Sequence, residues 1–417
     1  MNRIILIGNG FDLAHGLKTS YADFIDWYWK EWNLRLKGSF NSDEEDELCS
    51  FKLKNDLRSS GWYNTWVYRL QLPLNLDRDI DVLTIAKLDR ELCDFTIKSP
   101  FFETICEEVE TKNWVDIEDV YYEFLKKSDN PKQLNEDLDF IKSKLVQYLS
   151  SLPEPTLNPI IRHQILKPIA QEDFAVESKN QWDGMVKARV IWGKIGWQQL
   201  VEVYNAAYAK HSYDAAAISQ FCQSNRENIF AVGDICKQCP GFLLPDNILL
   251  LNFNYTDIAD RYVHGLYRFP VNHIHGSLSN PQGVIFGYGD EHDDEYQPLM
   301  KKNDNEYLRH IKSFRYLEAA NYRKMLSFIE MDAYQVCIMG HSCGISDRTL
   351  LKKLFEHKNC VSIKPYYHQK KDGTDDYWDI VCNIARNISD PSLMRDRVVI
   401  KEHCEPLSQL PQNTQNR

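Results

Sequence analysis

The sequence predicts an α/β protein built on a parallel sheet that is interrupted by a large helical insertion. The chain begins with an apolar strand, residues 2–8, which runs into a Gly-Asn-Gly turn. From about residue 246 onward, short apolar runs alternate with helical patterns, which is typical of a parallel sheet. The intervening residues 35–245 carry Trp, Leu, Glu and Lys at helical spacing.

The elements follow in chain order. After the first strand, apolar residues at three- and four-residue steps predict a helix over 20–34, with Ser20 as its N-cap. Two stripes predict helices within the insertion, over 138–152 and 197–222. Further strands are predicted at 248–251, 284–286, 335–339 and 361–363, and further helices at 317–329 and 347–357. This assigns 1–34 and 246–403 to a nucleotide-binding α/β domain, 35–245 to the helical insertion and 404–417 to a disordered tail.

Composition limits the partners. The 417 residues carry 49 basic and 60 acidic side chains, a net charge of −11, so a surface that tracks nucleic-acid phosphates is not indicated. We expect no membrane partner, because no run approaches about 20 apolar residues. The opening strand leaves no room for a signal peptide, so we expect a cytoplasmic protein whose eleven cysteines are reduced. Cys236 and Cys239 have metal-ligand spacing, but no second pair follows them.

The glycine turn after the first strand has two interpretations. Gly8 and Gly10 can deliver backbone N–H groups to a phosphate at the end of a buried strand. The third glycine of a dinucleotide fingerprint is replaced by Leu13, so a tight strand-to-helix turn explains the glycines equally well. A phosphate would repel Asp12, and a ribose hydroxyl or a helix cap suits that carboxylate better.

Two amides and two histidines follow apolar runs further along the chain. Asn252 and Asn254 share one face at a strand end, where they contact a ligand or form a turn. His273 and His275 share a face by the same period of two, and His275 is the strongest catalytic candidate because imidazole titrates near neutrality. A two-histidine metal site lacks an evident third ligand, and a core or capping histidine remains open.

A second glycine-bearing turn spans residues 340–347. The N–H groups of this turn and the Ser342 hydroxyl can hold phosphate or ribose. Ser346 or Asp347 is predicted to cap the helix that begins there.

These segments, at 7–21, 252–256, 275–276 and 340–347, resemble in this order the AbiH family of bacterial phage-defence (abortive infection) proteins. More distantly, the set is similar to the Rossmann-like, sirtuin-like NAD-binding fold. That resemblance implies a catalytic pair, Asn254 and His275, and a late turn through Gly340 and Ser342. It implies further NAD contacts from Gly8, Asn9, Gly10, Phe11, Asp12, Asn252, Thr256 and Gly276.

The departures from the sirtuin pattern narrow the implied chemistry. Thr256 replaces the Asp of that fold, the first turn reads Gly-Asn-Gly instead of Gly-Ala-Gly, and the paired Cys-x-x-Cys zinc ribbon is missing. Lysine deacylation is therefore disfavoured, and NAD cleavage to nicotinamide and ADP-ribose remains. In that interpretation NAD is the substrate, no metal is needed, and the Gly8–Gly10 N–H groups hold pyrophosphate. A phage-derived trigger releases the activity, and the insertion acts as a sensor or an oligomerisation surface.

Three alternatives remain open. A non-catalytic module that senses NAD, ADP-ribose or another nucleotide is favoured by Thr256 in the place of Asp. A nuclease can use the acidic segment 290–295 to bind magnesium. A hydride-transferring oxidoreductase is disfavoured by the incomplete glycine fingerprint.

Overall fold

A computed structural model of the protein describes residues 1–38, 43–54, 93–112, 115–174, 245–263 and 269–410. The strands of this part are β1 (Asn2–Ile7), β2 (Glu44–Glu45), β3 (Cys49–Leu53), β4 (Cys93–Ile97), β5 (Ile248–Asn252), β6 (Val271–His273), β7 (Tyr334–Met339), β8 (Cys360–Tyr367) and β9 (Glu405–Pro406). Its α-helices are α1 (Asn9–Ala14), α2 (Tyr21–Gly38), α3 (Pro100–Lys112), α4 (Ile117–Lys127), α5 (Pro131–Ser151), α6 (Pro159–Leu166), α7 (Tyr296–Lys301), α8 (Lys312–Arg315), α9 (Asn321–Met331), α10 (Arg348–Phe355), α11 (Tyr377–Asn387) and α12 (Pro391–Arg397).

The main sheet has six parallel strands in the order β6-β5-β1-β7-β8-β9. Numbered along the chain within this sheet, the order is 3-2-1-4-5-6, which is that of doubly wound dinucleotide-binding folds. The predicted parallel α/β sheet is therefore confirmed, and it has a Rossmann-like strand order. The chain passes from β1 to β5 and β6 on one side and then crosses to β7 on the other side of β1, so the topological switch point lies between β1 and β7.

Most strands of the main sheet were visible in the sequence as apolar runs. The predicted strands at 248–251, 335–339 and 361–363 fall within β5, β7 and β8. The strand predicted at 284–286 is wrong: this segment is buried by packing, and the Ile285 N–H donates to the carbonyl of His275 at 2.9 Å without forming a ladder. The short strands β6 and β9 had no apolar signal, and β9 lies within the predicted tail. Residues 411–417 of that tail lie outside the described part.

The predicted helices are present with shifted ends. α2 follows Ser20, whose hydroxyl accepts the N–H of Asp23 at 3.1 Å while the Asp23 carboxylate accepts the N–H of Ser20 at 3.3 Å. This reciprocal capping box fixes the start of α2. The stripe at 138–152 lies in α5, whereas the helices predicted at 317–329 and 347–357 are α9 and α10. The stretch 197–222 and the pair Cys236 and Cys239 lie outside the described residues.

The described part of 35–245 contains a three-stranded antiparallel sheet, β2-β3-β4, as well as helices α3 to α6. Its core also takes in α2 and buried side chains between Phe286 and Ile311. Helix α6 of the insertion packs on the main sheet instead. There the buried Arg3 guanidinium donates to the carbonyl of Ile165 at 3.0 Å. The division into domains stays a prediction. No helix in the described ranges has the length and apolar character to cross a membrane.

Candidate functional site

A cavity of about 480 Å³ opens at the carboxyl edge of the main sheet, where β1, β5 and β7 end. We call it the inner cavity. Among the predicted site residues, it is lined by Gly8, Asn9, Gly10, Asp12, Asn254, Thr256, His275, Gly340 and Ser342. An outer cavity of about 910 Å³ adjoins it and shares Gly10, Leu13, Gly340, His341, Ser342 and Asp376. The crevice therefore lies at the switch point, where open α/β sheets bind their ligands.

The two glycine turns pack against each other beneath this crevice. A Cβ on Gly8 would lie 2.5 Å from Cα of His341, and a Cβ on Gly340, which has a φ of +77°, would lie 2.1 Å from the Phe11 nitrogen. The Gly10 N–H donates to the Gly340 carbonyl at 2.8 Å, and the Gly8 N–H donates to that of Met339 at 3.3 Å. Loop packing thus accounts for these glycines. The predicted pyrophosphate contact through the Gly8 and Gly10 N–H groups requires correction, because both already have acceptors.

Asn254, Thr256 and Asp12 form one hydrogen-bonded group on the cavity wall. The Asn254 amide donates to Asp12 Oδ1 at 2.7 Å and to the carbonyl of Gly8 at 2.9 Å, and the Thr256 hydroxyl donates to Asp12 Oδ2 at 2.6 Å. Burial raises the pKa of Asp12 to about 7 despite these donors. Both amide hydrogens of Asn254 are therefore used, and its Oδ1 is the atom that remains for a ligand.

Three predicted site residues do not line the inner cavity. Asn252 accepts the Asn254 N–H at 3.0 Å and donates to the carbonyl of Thr256 at 3.2 Å, so it shapes the turn. Phe11 is fully buried in a hydrophobic core. Gly276 has a φ of +83°, and a Cβ there would lie 2.3 Å from the carbonyl oxygen of Gly283. The sequence pattern identified the right loops, but these three residues stabilise the conformation of the loops and do not face the cavity.

The two histidines face different surroundings. His275 is buried, and its Nε2 lies 3.0 Å from the Tyr316 hydroxyl and 3.2 Å from Asp347 Oδ1. Burial lowers the pKa of His275, so its ring is neutral at pH 7. His273 Nε2 instead contacts Asp260 Oδ2 at 2.8 Å, outside the inner cavity. The expectation that both share one face is wrong. In the ranges that the structure describes, no three or more His, Cys, Asp or Glu side chains are grouped to hold a metal ion.

A buried cation lies behind the cavity wall. The Lys312 ammonium donates to Glu118 Oε2 and to Asp347 Oδ1, each at 2.8 Å, and to the carbonyl of Ser346 at 3.2 Å. Lys312 is fully buried, and the two carboxylates raise its pKa. Lys312 and the two histidines hold the pKa of Asp347 well below its ordinary range, whereas burial raises the pKa of Glu118 to about 8. The network therefore keeps Lys312 and Asp347 charged at pH 7.

Asp347 and His341 occupy the turn that the sequence interpreted as a cap and a ligand loop. Asp347 stands at the N-cap of α10, but its side chain accepts no capping hydrogen bond. The prediction of a cap is wrong because the carboxylate turns inward toward Lys312. His341 Nδ1 accepts the Cys343 N–H at 2.9 Å, and its Nε2 lies 3.5 Å from Asp347 Oδ2. Asp347 thus joins both cavity histidines to one buried ammonium.

Sequence reasoning missed the contribution of the insertion. Asp116 and Glu118, at the start of α4, line the inner cavity. Asp116 Oδ1 accepts the N–H groups of Glu118 and Asp119 at 3.1 and 3.2 Å, and burial raises its pKa. A single Asp before a helical pattern has the ordinary signature of an N-cap, so only the tertiary structure identifies it as a cavity residue.

The acidic segment 290–295 is held by an ion pair with Arg348 and by hydrogen bonds to its own backbone. Asp290 accepts the guanidinium of Arg348 at 3.1 Å and the N–H of His292 at 2.8 Å. Asp293 accepts the N–H of Glu295 at 2.7 Å.

The family described as bacteriophage abortive infection AbiH matches residues 4–368 of this chain. The match spans the opening glycine turn, the insertion and the late turn after β7, and so includes every residue of the inner cavity except Asp376. No curated protein and no solved structure matched the chain. The chain therefore belongs to the AbiH family of phage abortive-infection proteins.

Proposed function

We propose that the protein acts in phage defence by hydrolysing NAD at the bond between nicotinamide and ribose. The products are nicotinamide and ADP-ribose, and the loss of NAD stops the infected cell. A phage-derived trigger starts the reaction, and the insertion serves as the sensing or oligomerisation surface.

One observation carries the proposal: the crevice at the switch point of a 3-2-1-4-5-6 sheet contains a buried, neutral histidine beside a set of oriented polar groups. Doubly wound sheets of this order bind dinucleotides across that point. The outer cavity adds about 910 Å³ next to the inner one, which provides space for the second half of a dinucleotide.

The reaction needs little covalent participation from the protein. The bond from ribose C1′ to the pyridinium nitrogen breaks, and its electron pair neutralises the positive ring. Water forms the new bond to C1′ and loses one proton. The cation-like ribose is stabilised by nearby carboxylates, as in glycoside hydrolysis. Asn254 Oδ1 orients the ribose or the water, and neutral His275 accepts the proton.

The test is to incubate NAD with the purified protein and to measure the released nicotinamide by chromatography. His275→Ala should abolish release, because it removes the proposed base. His273→Ala is the matched control: it removes a neighbouring histidine that pairs with Asp260 outside the inner cavity, and it should retain release. The same variants are compared for NAD content in phage-infected cells, where the natural trigger is present. NAD that stays constant in infected cells with the unchanged protein would refute the proposal.

A non-catalytic sensor of NAD or ADP-ribose is the second candidate. The observation in its favour is that Asn254, Thr256 and Gly10 already donate their hydrogen bonds to acceptors within the protein. In this case ligand binding raises the melting temperature of the protein while no nicotinamide is released. A magnesium-dependent nuclease is a weaker candidate, and an activity on DNA or RNA that chelation abolishes would support it.

A further inference from the structure

We propose that the inner cavity selects its ligand by positive charge, and that it takes a ribosylated pyridinium ring in preference to the neutral dihydropyridine of the reduced dinucleotide. This rests on the proposed function in one respect, the identification of the ligand as a nicotinamide nucleotide. The selection itself follows from the charges on the cavity wall.

The wall of the inner cavity is rich in carboxylates. Five acidic side chains line it: Asp12, Asp116, Glu118, Asp347 and Asp376. Among the described residues that line this cavity, none is Lys or Arg. His275 adds no positive charge, because burial lowers its pKa. At pH 7 Asp347 is ionised, Asp12 with its pKa of about 7 is partly ionised, and Glu118 with its pKa of about 8 is mostly protonated. A cation that enters the cavity therefore meets the ionised groups directly and favours ionisation of the others.

The one buried cation behind the wall does not balance this set. Lys312 donates to Asp347 and Glu118. Asp12 is held by two neutral donors, Asn254 and Thr256, and Asp116 by backbone N–H groups. Burial raises the pKa of both carboxyl groups, although the charge of Lys312 partly offsets this for Asp116. Their ionised forms therefore gain from an added positive charge, because the interior screens charge weakly. A pyridinium ring supplies that charge.

The outer cavity differs from the inner one in having a lysine in its lining. Its lining includes the exposed Lys18 and three histidines, His15, His341 and His368, with two carboxylates, Asp23 and Asp376. A dinucleotide whose pyridinium lies in the inner cavity would extend its pyrophosphate along the shared loop at Gly340 and Ser342 toward Lys18. Lys18 would then lie on the side of the pyrophosphate, away from the acidic wall of the inner cavity.

The two forms of the dinucleotide carry the same phosphates and differ by one charge on the ring. We would titrate NAD and NADH by calorimetry into the His275→Ala variant, which lacks the proposed base, and NADH into the unchanged chain as well. The expected result is that NAD binds about tenfold or more tightly than NADH, which is about 1.4 kcal/mol. Equal affinity, tighter binding of NADH, or binding of neither at millimolar concentration would overturn the proposal.

Asp116→Asn tests whether the carboxylates cause the preference. Asn is an equally good N-cap, so the start of α4 is retained while one negative charge is lost. The ratio of NAD to NADH affinity should fall severalfold. The matched control is Asp390→Asn, the same change at the N-cap of α12 outside both cavities, which should leave the ratio unchanged. An Asp116→Asn ratio equal to that of the control would refute the assignment.

The outcomes separate the two proposals. Charge-selective binding together with constant NAD in infected cells refutes the hydrolase and leaves the selection standing. Release together with equal binding of NAD and NADH supports the hydrolase and refutes the selection.

Discussion

Replacing Lys312 by Met should destabilise the protein strongly, because it removes the cation from a buried charge network. The methionine side chain has a volume similar to that of lysine, but it donates no hydrogen bond. Lys312 is fully buried and donates to Glu118 and Asp347 at 2.8 Å each. Without it, the Asp347 carboxylate, whose pKa lies well below its ordinary range, remains charged and loses its strongest partner.

The size of the effect follows from the two ionic hydrogen bonds. Each is worth about 1.5–3 kcal/mol, and removal of one partner of a buried ion pair costs about 3–5 kcal/mol. Glu118 lessens the loss, since its pKa of about 8 means that it is already mostly protonated at pH 7. We therefore expect about 3–5 kcal/mol of lost stability, which corresponds to a melting temperature lower by about 3–6 °C in a chain of this length.

The assay is thermal unfolding of the unchanged protein and the variant at pH 7. Lys127→Met is the matched control, because Lys127 is 78% exposed and lies 3.8 Å from Glu123. An exposed pair of this kind contributes about 0–1 kcal/mol, so the control should melt close to the unchanged protein. Asp347→Asn combined with Lys312→Met removes both charges and should recover part of the loss. A Lys312→Met variant as stable as the control would refute the network as described.

Three further predictions concern the loops and the carboxylates. Gly340→Ala should cost far more than Gly373→Ala in melting temperature, because both have positive φ but only Gly340 faces backbone atoms within 4 Å. For Glu118, the folded-state pKa of about 8 exceeds the ordinary value of 4.5 for a glutamate, so its contribution makes stability fall as pH rises between these values. Glu118→Gln should flatten the profile of melting temperature between pH 5 and 8, and parallel profiles would contradict this. Asn252→Ala should cost about 1–3 kcal/mol in chemical unfolding, since it leaves the Asn254 N–H and the Thr256 carbonyl without their partner.

The main sheet could be predicted because its central strands are buried on both faces. β1, β5 and β7 are buried at every position, and such strands form continuous apolar runs. The segment 284–286 has the same apolar signal without a strand neighbour, so composition alone could not separate pairing from packing. β6 and β9 are short and polar, and their existence depends on the neighbours β5 and β8.

The site was predicted in part for a similar reason. Loops at the carboxyl ends of parallel strands converge, so His275, Asn254 and the two glycine turns meet as expected. The sequence could not show that Gly8 and Gly340 are required because the two turns pack closely against each other. A glycine required by loop packing and a glycine required by a ligand look the same in the sequence. It also could not pair Lys312 with partners 194 and 35 residues away, because a single Lys carries no local pattern.

One carboxylate of the insertion is linked to the site residues of the main sheet. Glu118 Oε1 accepts the Gly287 N–H at 3.0 Å, while its Oε2 accepts Lys312, which in turn holds Asp347 beside His275. Glu118 belongs to α4 within the insertion, whereas Asp347 and His275 follow strands of the main sheet. A shift of α4 by the length of one hydrogen bond would therefore separate Lys312 from Glu118 and change the electrostatic surroundings of Asp347 and His275. A sensing role for the insertion needs no separate relay to the inner cavity, because α4 forms part of its wall.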